Sequence, residues 1–158
     1  MGTPYVAVVG AGIADQTTFE IAEEVGRLLA ERGAIVVCGG STGVMEGACK
    51  GAKEAGGTTV GILPGFARSE ANDYVDIAIP TGLGEMRNAL VVRAADVVIA
   101  VEGEYGTLSE MALALKIGTP VVGLGAWELH KRGTRVAAFI EATTPRAAVD
   151  HAERLWSS

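Results

Sequence analysis

The chain has 158 residues, of which 13 are Lys or Arg and 19 Asp or Glu, for a formal net charge of −6. No Lys/Arg cluster offers a surface for duplex nucleic acid, and no apolar run approaches bilayer length, since Arg93 and Asp96 interrupt the richest one. Two cysteines, Cys38 and Cys49, have neither ligand-like spacing nor the density of a disulfide framework, and they read as small buried residues of a reducing compartment.

In chain order, "YVAVV" (5–9) is a short apolar run closed by Gly10. The loop "GAGIADQ" (10–16) follows, and Thr17-x-x-Glu20 has the form of a capping box. Ile21, Ala22, Val25, Leu28 and Leu29 then recur at helical spacing until Gly33. "AIVVC" (34–38) is a second strand, "GGSTG" (39–43) a loop, and a helix runs from about Val44 to Ala55, stopped by Gly56-Gly57. "TTVGIL" (58–63) is the third strand, followed by the polar loop "PGFARSEAND". "YVDIAI" (74–79) is another strand, and a helix covers about Gly84 to Ala95. "DVVIAV" (96–101) leads into "EGEYGT" (102–107) and a helix reaching Gly118. "PVVGL" (120–124) and "AAFIEA" (137–142) are the last strands. Thr144-Pro145, an N-cap followed by Pro at the first helical position, opens a C-terminal helix.

The strands are apolar nearly throughout, which is the pattern of parallel strands buried on both faces. Their alternation with helices predicts an α/β fold, a doubly wound Rossmann-like domain spanning residues 1–158 with about seven parallel strands and helices on both faces. Ligands of such sheets bind at the carboxyl ends of the strands, so loops 10–16, 39–43 and 102–107 are expected to converge there.

The first loop lacks the third Gly of a dinucleotide fingerprint, Asp15 standing in its place, and the second strand ends without an acid for a ribose. It reads as a tight turn with an N-cap. The second loop offers Gly39, Gly40 and Gly43 for close backbone approach and Ser41 and Thr42 as hydroxyl donors, and it is not a P-loop. In the third, Thr107-Leu108-Ser109-Glu110 has the capping-box spacing, with Thr107 as cap and Glu110 reaching back. A helix start of this kind suits an anion, yet Glu102 and Glu104 place two carboxylates in it. Two residues apart in extended backbone, they are expected to face the same side. Three outcomes stay open: they point away into solvent and leave the N–H groups free, recruit a bridging cation such as Mg²⁺, or occupy the phosphate's place.

"GGSTGVMEGA", "RNALVVRAADVVIAVEGEYGTLSEMALAL" and "KIGTPVVGLG" together resemble the Lonely Guy superfamily, long labelled "possible lysine decarboxylase". "GTTVGILPG", "RSEAND" and "IPTGLGEMRNALV" look most like its subgroup of molybdenum cofactor carrier proteins. The resemblance runs from about residue 5 to residue 125, and more weakly to the end. It implies a Rossmann-like sheet and a homo-oligomer, dimer or tetramer. It also implies either a carrier of a phosphorylated heterocycle, with the molybdenum cofactor as cargo, or a nucleoside 5′-monophosphate phosphoribohydrolase.

The superfamily motif P-G-G-x-G-T-x-x-E falls on residues 102–110. Gly103, Gly106, Thr107 and Glu110 match, while Glu102 and Glu104 replace Pro and Gly. Its catalytic Arg falls on Arg87, and Asn88 replaces the Lys that follows, as is common in the carrier-like subgroup. Glu110 would stabilise positive charge on a ribose or activate water, and Arg87 would orient phosphate. Lysine decarboxylation has no support, because no lysine sits in a pocket-like pattern for a pyridoxal Schiff base. Three readings stay open: carrier, phosphoribohydrolase, and an oligomeric sensing or structural protein with a degraded phosphate site. No metal site is assigned, and the expected compartment is the cytoplasm, with no membrane or nucleic-acid partner.

Overall fold

The protein was analysed as a computed structural model that describes residues 2–158. Its elements are β1 (Tyr5–Gly10), α1 (Gln16–Glu31), β2 (Ile35–Cys38), α2 (Val44–Glu54), β3 (Thr59–Leu63), β4 (Ile77–Pro80), α3 (Asn88–Arg93), β5 (Val97–Val101), α4 (Tyr105–Ile117), β6 (Val121–Leu124), β7 (His130–Lys131), β8 (Thr134–Arg135), β9 (Ile140–Ala142) and α5 (Pro145–Trp156). Seven strands form one sheet in the order β4-β3-β2-β1-β5-β6-β9, and every pairing in it is parallel.

The chain builds outward from β1 through β2 and β3 to β4, then returns to the other side of β1 with β5, where Val8 sits opposite Ile99. The order reverses between β1 and β5. Crossovers leaving β1 and β5 pack on opposite faces there, and a crevice opens at the carboxyl edge.

Alternate residues of a strand point to opposite faces. Val6 and Val8 join Ala22, Val25, Leu28 and Leu29 of α1 and Ala148, Val149 and Ala152 of α5 in one core. Ala7 and Val9 join Val91 and Val92 of α3 and Met111 and Ala114 of α4 in the other. All five residues of β5 are buried, as its continuous apolar run requires.

The contact between α1 and α2 depends on glycine. A Cβ at Gly26 would overlap the Ala48 carbonyl, and one at Gly51 would overlap the Glu23 carbonyl. The two helices thus meet backbone to backbone, closer than any side chain allows.

Several local expectations are corrected. Asp15, rather than a Thr17–Glu20 box, caps α1: its carboxylate accepts from the Thr18 N–H at 2.8 Å. Glu20 instead accepts from the Gln16 amide at 3.0 Å. The helix expected over 84–95 begins as a 3₁₀ turn, Gly84–Arg87, before α3. The strand expected from residue 74 starts at Ile77, because Asp76 and Thr59 first bond each other's backbone N–H groups through their side chains. The strand expected over 137–142 is confined to Ile140–Ala142. The antiparallel hairpin β7–β8 was not anticipated; Arg132 and Gly133 make its turn at positive φ. Thr144 caps α5 as read, accepting from Ala147 N–H at 3.1 Å. Among the described residues no helix is long and apolar enough to cross a membrane.

Candidate functional site

A cavity of about 520 Å³ opens at the strand-order reversal. Gly10 to Ile13 after β1, Gly39 after β2, Met45 of α2, Arg87 and Asn88 beside α3, and Glu104, Gly106, Thr107 and Glu110 of the α4 region line it. The three loops singled out by sequence therefore meet at one sheet edge.

They contribute unequally. Of the second loop only Gly39 lines the cavity. Thr42 donates its hydroxyl to the Gly12 carbonyl at 2.6 Å, and the Val44 N–H donates to Ala11 O at 3.0 Å. The Asn72 amide donates to Ser41 O, and Asn72 N–H to Gly40 O. Gly43, at positive φ, is wedged against the Ala11 and Gly12 backbone. Gly40, Ser41, Thr42 and Gly43 thus brace the first two loops against their neighbours and do not present a row of free donors. Just before them, the Cys38 and Cys49 sulfurs lie 3.4 Å apart, buried and unbonded, and Gly40 N–H donates to the Cys38 sulfur at 3.2 Å.

Arg87 enters over Gly39. A Cβ at that glycine would sit 2.5 Å from the Arg87 Nη2 and 2.7 Å from the Met45 sulfur, so the absence of a side chain admits the guanidinium. Nη2 donates to Gly39 O at 3.5 Å and Nη1 to the Asn88 side-chain oxygen. The Arg87 Nε is buried with no hydrogen-bond partner. A buried donor without a partner costs free energy that a bound anion can recover.

The start of α4 is built differently from the expectation. The helix begins at Tyr105 with Glu104 in the cap position, and no side chain caps it. Its first intrahelical bond runs from Leu108 N–H to Glu104 O at 3.0 Å. Thr107 is therefore the third helical residue and Glu110 the sixth, and the Thr107–Glu110 capping box does not form. The first-turn N–H groups precede the helical ladder and open on the cavity through Gly106 and Thr107. Gly103 turns the chain at φ 106°, packed against Thr107.

The two loop acids also part company. Glu102 adopts φ 48°, and its carboxylate accepts from the Thr18 hydroxyl of α1 at 2.9 Å. Glu104 lines the cavity, its carbonyl held by the Trp127 indole N–H at 3.1 Å. The left-handed residue Glu102 breaks the extended geometry on which a shared face depends.

Glu110 is 7 % exposed. Burial pushes its carboxyl up to about 8, with the nearby Arg87 charge drawing it back only in part. Cavity residues that the sequence did not single out are Ala11, Ile13 and Met45, together with Val8 and Val9. The signal available for Ile13 was an apolar side chain in a Gly-rich loop, where it is 94 % exposed.

A model of the SLOG cluster4 family matches residues 3–151. A protein of Archaeoglobus fulgidus is 47 % identical over 119 residues, covering 75 % of this chain and 78 % of that one. Among solved structures, the molybdenum cofactor binding protein of the phototrophic bacterium Rippkaea orientalis superposes with a TM-score of 0.87 at 37 % identity, covering 98 % of each chain. The molybdenum cofactor carrier protein of Chlamydomonas reinhardtii superposes with a TM-score of 0.88 at 36 % identity, covering 99 % of this chain and all of that one.

Proposed function

The chain belongs to the SLOG cluster4 family, and from that premise we propose that it is a carrier for a phosphorylated heterocycle, a pterin phosphate of the molybdenum-cofactor kind. The observation that carries this reading is the Arg87 guanidinium, whose Nε is buried and unpartnered and which lines the same cavity as the uncapped start of α4. The guanidinium would take the phosphate with charge-assisted hydrogen bonds, and the first-turn N–H groups of α4 would complete the cradle. Apolar walls from Val9, Ile13 and Met45 would cover the ring. The likeness to the two molybdenum cofactor proteins supports that cargo. Loading the purified protein with molybdenum cofactor and following its retention on gel filtration tests the proposal; cofactor eluting free of protein would refute it.

A second reading, nucleoside 5′-monophosphate phosphoribohydrolase, draws on Arg87 and Glu110 lining the same cavity. It predicts ribose 5-phosphate release from nucleoside monophosphates, and no turnover across the common ones would remove it. Asn88, in place of the superfamily lysine, weighs for the carrier. Glu104 in the cavity supports the third reading, a sensing or structural protein with weakened phosphate affinity, unless a divalent cation such as Mg²⁺ bridges acid and phosphate.

The proposed unit is residues 1–158, acting in the cytoplasm as a homodimer or homotetramer. Leu83, Met86 and Leu90, which flank Arg87 and Asn88 in sequence, and Phe66 next to Gly82 are exposed apolar side chains, which a second copy would cover. Light scattering at micromolar concentration checks this, and a monomer would defeat it. The two free buried thiols support a reducing compartment.

A further inference from the structure

Glu110 has a feature that phosphate binding leaves unexplained. The residue is 7 % exposed and lines the cavity, and its carboxyl has no hydrogen-bond or ion-pair partner among the described residues. The guanidinium of Arg87 lines the same cavity but bonds Asn88 and Gly39 instead. A buried acid without a partner is costly as an anion and inexpensive to keep neutral.

We infer that Glu110 is the residue that reads the ligand's ring, acting as an uncharged carboxylic acid that donates its O–H to a ring nitrogen or carbonyl oxygen. This rests on the carrier reading above and specifies its ligand: a phosphomonoester whose heterocycle presents a hydrogen-bond acceptor at that edge. The charges around the group agree. Among the described residues Arg87 is the one cation lining the cavity, and Glu104 adds an anion to the same lining. The Arg87 charge acts on both the Glu110 carboxyl and the Cys38 thiol before Gly39, and the Glu110 charge opposes it at Cys38. A phosphate dianion on Arg87 leaves no positive charge over for an ionised Glu110. Occupancy by phosphate therefore holds the acid in its protonated form, and ionising the acid expels the phosphate. Ring and phosphate are read together by one protonation state.

The sign follows. Ligand binds the protonated form, so affinity is full below pH 8 and falls as Glu110 ionises above it, by about tenfold per pH unit. The phosphate's second ionisation lies near pH 6, so the probe's own charge is constant across that range.

The test is calorimetry with AMP and with ribose 5-phosphate between pH 6.5 and 9.5, on wild type and Glu110→Gln, with AMP recovered intact by chromatography. Wild type should bind AMP at least about tenfold tighter than ribose 5-phosphate at pH 7, and lose AMP affinity above pH 8. Glu110→Gln keeps an N–H donor and cannot ionise, so its AMP affinity should show a flat profile between about pH 6.5 and 9.5. Carboxyl NMR of the ligand-free protein should place the Glu110 resonance, identified by its loss in Glu110→Gln, at a midpoint near 8. A flat wild-type profile, the same fall in Glu110→Gln, or a ligand-free midpoint below about 5 overturns this inference while leaving the carrier reading standing. Failure of both probes to bind wild type at any pH overturns this inference too, whereas the carrier reading falls only if molybdenum cofactor elutes free of the protein.

Discussion

Helices α1 and α4 both begin at the carboxyl edge of the sheet, one after β1 and the other after β5, its parallel neighbour. Both starts carry acids, and the two are finished in opposite ways. At α1 the Asp15 carboxylate accepts from Thr18 N–H, and the Thr18 hydroxyl in turn satisfies Glu102. That terminus is closed by the chain's own carboxylates. At α4 no side chain takes the cap, Glu102 has been drawn away to α1, and the turn opens on a cavity shared with Arg87. The pKa directions mirror this. The hydrogen bond from Thr18 N–H holds Asp15 below its ordinary range. Desolvation raises Glu110, one and a half turns into α4, to about 8. One helix start is spent on stability, and the other is left available to a ligand.

The largest effect should come from Arg87→Leu. It removes the cation that faces the open start and should weaken phosphate-ligand binding by about 100-fold, the scale of a charge-assisted hydrogen-bond pair. Calorimetry with a pterin phosphate reads it, and unchanged affinity would place the anion elsewhere.

Glu110→Gln sharpens the contrast between the two acids. A raised pKa means the folded protein holds a proton that the unfolded chain has released. Stability therefore declines as pH rises from about 4.5 to 8, and Gln abolishes the decline. The variant should match wild type in urea unfolding at pH 4 and exceed it by about 4 kcal/mol at pH 8. Parallel profiles for the two proteins would mean that Glu110 ionises normally.

Glu104→Gly restores the glycine of the superfamily motif at the open terminus. It should raise phosphate-ligand affinity by about tenfold without Mg²⁺, and by less with Mg²⁺ present. An unchanged affinity under both conditions makes Glu104 a solvated loop residue.

Asp15→Ala should give the smallest effect, because α1 loses only a cap. Its thermal midpoint should fall by about 2–4 °C at pH 7 with ligand affinity unchanged. A lowered carboxylate pKa stabilises above the unfolded value near 3.8 and loses its contribution as pH falls through the folded one. The difference between wild type and variant should thus narrow as pH falls below that unfolded value. A large drop in ligand affinity would show that α1 shares the site.

Much of this was legible. The continuous apolar runs of β1 and β5 announced parallel strands buried on both faces, and the Gly-rich segments after them announced the ligand edge. Arg87 and Glu110 were named through the family resemblance, and the structure does bring them to one cavity. The two helix starts were misread by the same rule. Thr17-x-x-Glu20 and Thr107-x-x-Glu110 both have capping-box spacing, yet neither forms, because each helix begins earlier, at Gln16 and Tyr105. Spacing reports which residues could pair if the helix began there; it does not report where the chain leaves the strand.

The sequence by itself determined the order of the sheet strands and main helices, the parallel sheet, the edge on which the cavity opens, and the residue types available there. These follow from hydrophobic periodicity and turn chemistry, which act within a few residues. Only the tertiary structure decided that Glu102 would turn to Thr18, 84 residues away, that Gly39 would admit Arg87, and that Glu110 would be buried in a cavity wall instead of serving as a cap. Those outcomes depend on which strands lie side by side and on how much water their packing excludes, and local sequence encodes neither.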